Sequence, residues 1–274
     1  MLRRDVLPEW RGRDARTIKP REVIELLDKI VARGKPIMAN RTAALLGQLF
    51  KFGIHRAIVE TTPVQLLMRP GGKEKPKQRT LSDEELKAFL GDPVKATRLR
   101  RLAHVIQILL LTGQRRGELA GARWRDVILK GKTPTWTIPA ENSKNGREHV
   151  VPLSTWAANE FRLLKKAAGH SHWVLPAKDK AQPLEAKLLT RGVAKCQPRF
   201  KALGVAPFTL HDLRRTCRTG LARLKIEPHI AERVLGHAQE RITATYDTHA
   251  YLEEKRAALE KWEKYLQSLR KALA

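Results

Sequence analysis

The chain has 274 residues, 54 of them Lys or Arg against 28 Asp or Glu, which gives a formal charge of +26 at pH 7. Hydrophobic residues make up 42%, enough to bury a core, so the charge does not imply disorder, which needs apolar residues to be scarce. So large an excess calls for a polyanion to neutralise it. Nucleic acid is the commonest such partner, and an acidic small-molecule substrate would not require it.

At the start, Met1-Leu2-Arg3-Arg4-Asp5 lacks the apolar region of a signal peptide. Pro20 suits a first helical turn, and Val23, Ile24, Leu27, Ile30 and Val31 form an apolar stripe that Gly34 ends. A second helix is expected from about Asn40, a good N-cap, through Leu45, Leu46, Leu49, Phe50, Ile54 and Ile58, with Pro63 as its limit. Residues 69–78 mix Pro, Gly and Lys without periodicity and read as an exposed basic linker. This divides a helical domain, 1–68, from a larger one, 79–274. Residues 1–78 hold 17 Lys and Arg against 8 Asp and Glu, a balance of +9 that leaves +17 for the rest. A single cationic tail is thereby excluded, and two basic domains facing one polyanion are expected.

Beyond the linker, Ser82-Asp83-Glu84-Glu85 is a capping box that opens a short helix ending near Gly91. Leu99 to Leu111 is almost wholly apolar and should be the buried centre of the larger domain; its run from Val105, broken by Gln107, is too short to span a bilayer. The periodicity then changes. Val127–Leu129, Trp136–Ile138 and His149–Val151 read as short strands of a small antiparallel sheet, separated by Gly- and Asn-containing turns. Helices return at about Thr155–Lys166, Glu185–Leu203, Leu210–Leu224 and Pro228–Leu235. A last one, Leu252 to about Leu269, carries Leu252, Leu259, Trp262, Leu266 and Leu269 on one stripe. The expected fold class is mainly α with a small antiparallel β-sheet. Cys196 and Cys217 show no ligand or disulfide spacing, which fits a reducing cytosol.

Four short patterns carry possible chemistry. In Thr112–Leu119, a glycine break lets Arg115 start a new helix, with Glu118 three residues on to hold its guanidinium. In His211-Asp212-Leu213-Arg214 the spacing puts imidazole and guanidinium on one helix face, opposite a packed face of Leu210, Leu213, Cys217 and Leu221, with Thr209 as N-cap. Two such groups at a helix N-terminus oppose its dipole, so an anion is expected nearby. His237 follows a helix-ending Gly236, and Tyr246 lies in a segment where no apolar stripe claims it. Lys144 sits in the turn Ser143-Lys144-Asn145-Gly146. Taken singly, each has an ordinary reading as a helix junction, a basic surface, a packing tyrosine or a solvated lysine.

Taken in order, Arg115, Lys144, His211 with Arg214, Gly236-His237 and Tyr246 resemble the tyrosine recombinase (phage integrase) family, over roughly Arg79 to Tyr265. Upstream, Leu2–Pro8, Ile30–Gly34 and Arg41–Phe52 look like the core-binding region of integrases from satellite phages and genomic islands. That region starts partway through, with no room for an N-terminal arm-binding domain, so the expectation is either a truncated integrase or a fragment.

The resemblance implies a helical core-binding domain joined to a mixed α/β catalytic domain, and site-specific cutting and rejoining of double-stranded DNA to integrate or excise a mobile element such as a prophage. It implies that Tyr246 forms a 3′-phosphotyrosyl link and expels a 5′-hydroxyl protonated by Lys144, while Arg115 and Arg214 grip the phosphate. His211 would help activate the phenol and His237 would donate a hydrogen bond to the phosphate, with Glu118 and Asp212 in support. DNA contacts are expected from Arg41, Lys51, Lys73, Lys75, Lys77, Arg116 and Arg215. No cofactor, metal or ATP is expected: no Asp/Glu cluster reads as a two-metal site, and the phosphodiester energy is conserved in the protein–DNA ester. A homotetramer on paired DNA sites, accessory DNA-bending proteins and a bacterial cytoplasmic, nucleoid-associated setting, with no membrane, are implied as well. The terminal stripe packs either on a neighbouring protomer or within its own chain. A type IB topoisomerase and a non-catalytic basic DNA-binding protein remain the alternatives.

Overall fold

In the computed structural model, which describes residues 1–64, 69–74, 78–97, 99–237 and 249–271, the chain separates into two units, Met1–Lys77 and Gln78–Ala274. In the first, a π-helical turn, Leu2–Val6, runs into α1 (Leu7–Trp10), followed by α2 (Pro20–Ala32) and α3 (Pro36–His55). Proline at the first turn sets where α2 and α3 begin, since its missing N–H has no helical partner to lose. The core joins Val6 and Trp10 to Val23, Leu26, Leu27, Ile30 and Leu46. Leu26 takes the buried place expected for Ile24, which is exposed, because positions 23, 26, 27 and 30 share the face turned to α3.

Asn40 is not the N-cap of α3 but lies inside it, which frees its side chain to bind elsewhere. Its Oδ1 accepts from the Gly71 N–H at 2.8 Å, and its Nδ2 donates to the Gly72 carbonyl at 3.0 Å and to Glu74 Oε1 at 3.2 Å. Part of the stretch read as an exposed linker is therefore held on α3. That helix stops at His55, so Ile58 is not on it; Ile58 and Phe52 are each 56% exposed, and Leu49 and Ile54 are exposed too.

The second unit opens with α4 (Asp83–Gly91), where the Ser82 hydroxyl accepts from the Glu85 N–H and Glu85 Oε2 accepts from the Ser82 N–H. After α5 (Pro93–Thr97), α6 (Arg100–Thr112) is buried nearly all round and packs on α8 (Thr155–Ala168) and α10 (Leu210–Arg223). Gln107, the polar interruption in its apolar run, donates to Glu160 Oε2 on α8 at 3.3 Å, and Glu160 Oε1 also accepts from Trp156 Nε1 at 3.0 Å. A buried amide with such partners avoids the cost of an unmade hydrogen bond.

α7 (Arg116–Ala120) leads to a three-stranded antiparallel sheet of β1 (Val127–Ile128), β2 (Thr135–Ile138) and β3 (His149–Pro152), in that order. Trp136 faces Val127 and Val151 across the ladder and packs its ring 5.6 Å from that of Phe161. α9 (Ala186–Ala202), α11 (Pro228–Val234) and α12 (Leu252–Lys271) complete the unit.

Of the two placements open for the terminal stripe, the structure shows the one within the chain. Leu259, Trp262, Leu266 and Leu269 are buried against the unit's own core, Trp262 Nε1 donates to the Leu110 carbonyl at 2.9 Å, and Lys255 Nζ donates to the Val150 carbonyl at 2.8 Å. Cys196 and Cys217 are buried and free. Among the described residues no helix is long and apolar enough to cross a membrane.

Candidate active site

α6 ends because Gly113 takes a left-handed φ of 67° and donates its N–H to the Leu109 carbonyl at 2.9 Å. A side chain has no room there: a Cβ would stand 2.7 Å from Leu235 Cδ2 and 3.1 Å from Cys217 Sγ. The chain turns out of the core and restarts as α7, with Arg115 at its N-cap. Glu118, itself buried, accepts the Arg115 N–H at Oε2 and Arg115 Nη1 at Oε1, both at 2.8 Å. One carboxylate thus caps the helix and aims the guanidinium.

α10 is likewise opened by a carboxylate three residues past its N-cap. Asp212 Oδ2 accepts from the N–H and the hydroxyl of Thr209, each at 2.8 Å, and Oδ1 accepts from Arg215 Nη1 at 2.7 Å. Burial works against that carboxylate, but Thr209 and Arg215 together hold it below its usual range. Leu210, Leu213, Cys217 and Leu221 pack as the helical spacing predicts. Arg214 departs from an ordinary basic surface residue: it is only 3% exposed. Its Nη1 donates to the Gly113 carbonyl at 2.9 Å and its Nη2 to the Leu235 carbonyl at 2.8 Å. Burial, then the neighbouring charge of Arg115, pull the guanidinium down to about 10, which leaves it cationic at neutral pH. Desolvation, with Arg215 and Arg214 close by, holds His211 below the usual imidazole range, so its neutral, proton-accepting form is favoured.

Lys144 stands on the connection between β2 and β3, where a 3₁₀ turn, Ala140–Asn142, is followed by a turn closed by the Gly146 N–H on the Ser143 carbonyl at 3.1 Å. These elements meet. Arg115, Lys144, His211 and Arg214 line one open cavity of about 440 Å³, with Glu118 and Arg116 in its wall. Three guanidiniums and an ammonium around one opening, against a single paired carboxylate, suit an anion that offers oxygens in several directions, as a phosphate does.

His237 stands outside that lining. Its Nδ1 donates to Glu232, whose Oε1 accepts from Arg218 Nε at 2.7 Å. The three carbonyls before it are each engaged from another element. Val234 O accepts from Gln114 Nε2 at 2.8 Å and His149 Nε2 at 3.1 Å, Leu235 O from Arg214, and Gly236 O from Asn145 Nδ2 at 2.7 Å. Tyr246, Lys75 and Lys77 lie outside the described residues. Arg41, Lys51 and Lys73 are exposed on the first unit and Arg116 on the second, whereas Arg215 is paired with Asp212. Among the described residues no group of three or more His, Cys, Asp or Glu could hold a metal ion.

A helical unit followed by a mainly helical one with a three-stranded antiparallel sheet is the architecture of the tyrosine recombinases. The chain belongs to the phage integrase family: the Phage integrase family model matches residues 79–253, and the Phage integrase central domain model matches residues 1–69. It is 28% identical over 270 residues to the prophage integrase IntZ of Escherichia coli K12, covering 98% of this chain and 65% of that protein. It is 23% identical over 268 residues to prophage integrase IntA of the same strain, covering 95% and 62%. The chain therefore spans less than two thirds of these relatives' length. Among solved structures, a lambda integrase fragment (75–356), a dimer bound to a COC′ core site, is similar with a TM-score of 0.66 at 21% identity over 88% of this chain and 85% of that one. A lambda integrase tetramer bound to a Holliday junction is similar with a TM-score of 0.63 at 22% identity, over 85% and 66%. At such identities the structural likeness is one of fold.

Sequence reasoning did not single out Arg218, Glu232, Asn145 or His149. Arg218 follows Arg214 by one helical turn, a signal that could have placed it on the same face. Asn145 and His149 meet their partners only through tertiary packing, and Glu232 joins the local His237 to Arg218 on α10.

Proposed function

We propose that this protein is a site-specific DNA recombinase that cuts and rejoins duplex DNA through a covalent 3′-phosphotyrosyl intermediate, serving integration or excision of a mobile element. The observation that carries this reading is the convergence of Arg115, Lys144, His211 and Arg214, from three separate parts of the chain, on one cavity.

In this scheme the Tyr246 oxygen attacks a DNA phosphorus and its proton passes to His211. Charge building on the non-bridging oxygens is met by Arg115 and Arg214, whose preset positions make them most effective at the moment the charge appears. As the bond from phosphorus to the 5′ oxygen breaks, its electron pair leaves on that oxygen, which takes a proton from Lys144. His237, with Nδ1 committed to Glu232, offers its other nitrogen to the phosphate. Rejoining runs the steps backwards: the incoming 5′-hydroxyl gives its proton to Lys144 and the phenol regains its own. The ester bond is exchanged rather than hydrolysed, so neither ATP nor a metal is needed.

The partners are double-stranded DNA, contacted in part by Arg41, Lys51, Lys73 and Arg116, and further copies of the chain. The lambda integrase tetramer on a Holliday junction supports a homotetramer on paired sites. Accessory DNA-bending proteins and a nucleoid setting in a bacterial cytoplasm belong to the same reading.

The test is covalent capture on nicked suicide duplexes drawn from a randomised pool. The native chain should give a denaturation-resistant protein–DNA adduct, and Tyr246→Phe should give none while still binding duplex. An adduct persisting in the variant would remove Tyr246 as nucleophile. Efficient relaxation of a plasmid without any specific site would favour a type IB topoisomerase instead.

A further inference from the structure

The turn that carries Lys144 is tied down on both sides by amide side chains. Ahead of the lysine, Asn142 Nδ2 donates to the Gly121 carbonyl at 3.2 Å, just past the end of α7. Behind it, Asn145 Nδ2 donates to the Gly236 carbonyl at 2.7 Å. Gly236 is itself well fixed, because the carbonyl before it is held by Arg214 and the next one back by Gln114 and His149. Lys144 is exposed, and a lysine stem is long and flexible, so where its ammonium can reach depends on how firmly its backbone is placed. Misplacing a reacting group by about 1 Å can cost about 10²-fold in rate.

We infer that Asn145 is a positioning residue for leaving-group protonation: by binding Gly236 it registers the Lys144 turn against the same segment that Arg214 grips. This rests on the reading that Lys144 supplies the proton to the 5′ oxygen. Asn145 touches no reacting atom, and its effect is confined to the step in which the bond to that oxygen breaks and the lysine proton moves to it.

The experiment uses the full chain and two nicked suicide duplexes of one sequence, one ordinary and one with sulfur replacing the bridging 5′ oxygen. A thiol, with a pKa of about 8.5, leaves as thiolate without needing a proton. On the ordinary duplex, Asn145→Ala should slow cleavage by about 10- to 100-fold and Lys144→Ala by at least as much. On the sulfur duplex both should return to within about threefold of the native chain, while Arg115→Ala, which acts on the non-bridging oxygens, should not. Asn145→Gln, which keeps an amide donor, should fall between native and alanine. If Asn145→Ala cleaves the ordinary duplex at the native rate, or is equally slow on both duplexes while Lys144→Ala is rescued, the positioning role is overturned on its own. If Lys144→Ala is not rescued by sulfur, the acid role falls and the inference falls with it.

Discussion

The carboxylate of Glu118 takes both the backbone N–H and the Nη1 of Arg115, each at 2.8 Å, so the residue that caps α7 is the same one that orients a cation of the candidate site. Folding of the helix and placement of the guanidinium are thereby a single event. Glu118→Ala should remove the cap and free the side chain, costing about 1–2 kcal/mol of stability and slowing DNA cleavage by at least about tenfold. Thermal unfolding and covalent capture measured on the same preparation check this; an unchanged melting temperature would show that the cap is dispensable.

Arg214 should not be replaceable by lysine. Its two terminal nitrogens reach carbonyls on different elements, Gly113 and Leu235, and a single ammonium has no such fork. Arg214→Lys should lower both the melting temperature and the cleavage rate, the latter by about 10²-fold or more. Native-like rates in this variant would contradict the assignment.

Stability should fall with acid through His149. Burial, then the nearby Lys255 charge, push this imidazole down to about 4, from 6.5 when unfolded. The unfolded chain therefore binds more protons between those values. The contribution is complete above pH 6.5 and is lost as pH falls toward 4, by at most about 3 kcal/mol. His211, also held low, acts in the same sense, whereas carboxylates such as Asp5 and Asp83, lowered to about 2, lose their contribution only in stronger acid. Urea unfolding at pH 7.5 and pH 5 should show the loss, and His149→Gln, which cannot protonate, should reduce it. An identical pH slope in that variant would rule His149 out as the source.

The terminal helix should tolerate no added bulk at α10. A Cβ on Gly220 would lie 2.2 Å from the Trp262 ring, and that ring is pinned by its donation to Leu110. Gly220→Ala should cost about 1–3 kcal/mol. Gly192→Ala, whose Cβ would meet only Leu102 at ordinary contact distance, should be neutral or stabilising, since alanine is the better helix former. Equal melting temperatures for the two variants would show that α12 does not pack here in solution.

DNA affinity should weaken steeply with salt, because each neutralised phosphate releases condensed counterions. Alanine at Arg41, Lys51, Lys73 or Arg116 should each lower the slope of log affinity against log salt by about 1 where the side chain meets a phosphate. Fluorescence anisotropy across a salt series reads this directly, and a nearly flat dependence would contradict a chain whose charge of +26 serves DNA.

Much of the second unit was legible because its codes are local. The caps at Ser82 and Thr209, the Glu118 partner of Arg115 and the packed face of α10 all rest on residues three or four positions apart, and helical geometry alone brings those together. The strands were legible from β-branched and aromatic runs between turn residues. The first unit was less so: a stripe that admits either Ile24 or Leu26 is settled by which side α3 covers, and Asn40 has the chemistry of a cap wherever it stands.

What the amino-acid order determined by itself was the element plan, which follows from residue types at short fixed spacings; motifs spread along the chain carried the resemblance to the family, and with it Arg115, Lys144, His211 and Arg214 as candidate site residues. What only the tertiary structure decided was the burial of Arg214, the inward packing of α12 and the network around Val234, Leu235 and Gly236. Those carbonyls are bound from residues 21 to 120 positions away, and contacts at such separations depend on how helices and sheet pack, which no local pattern encodes.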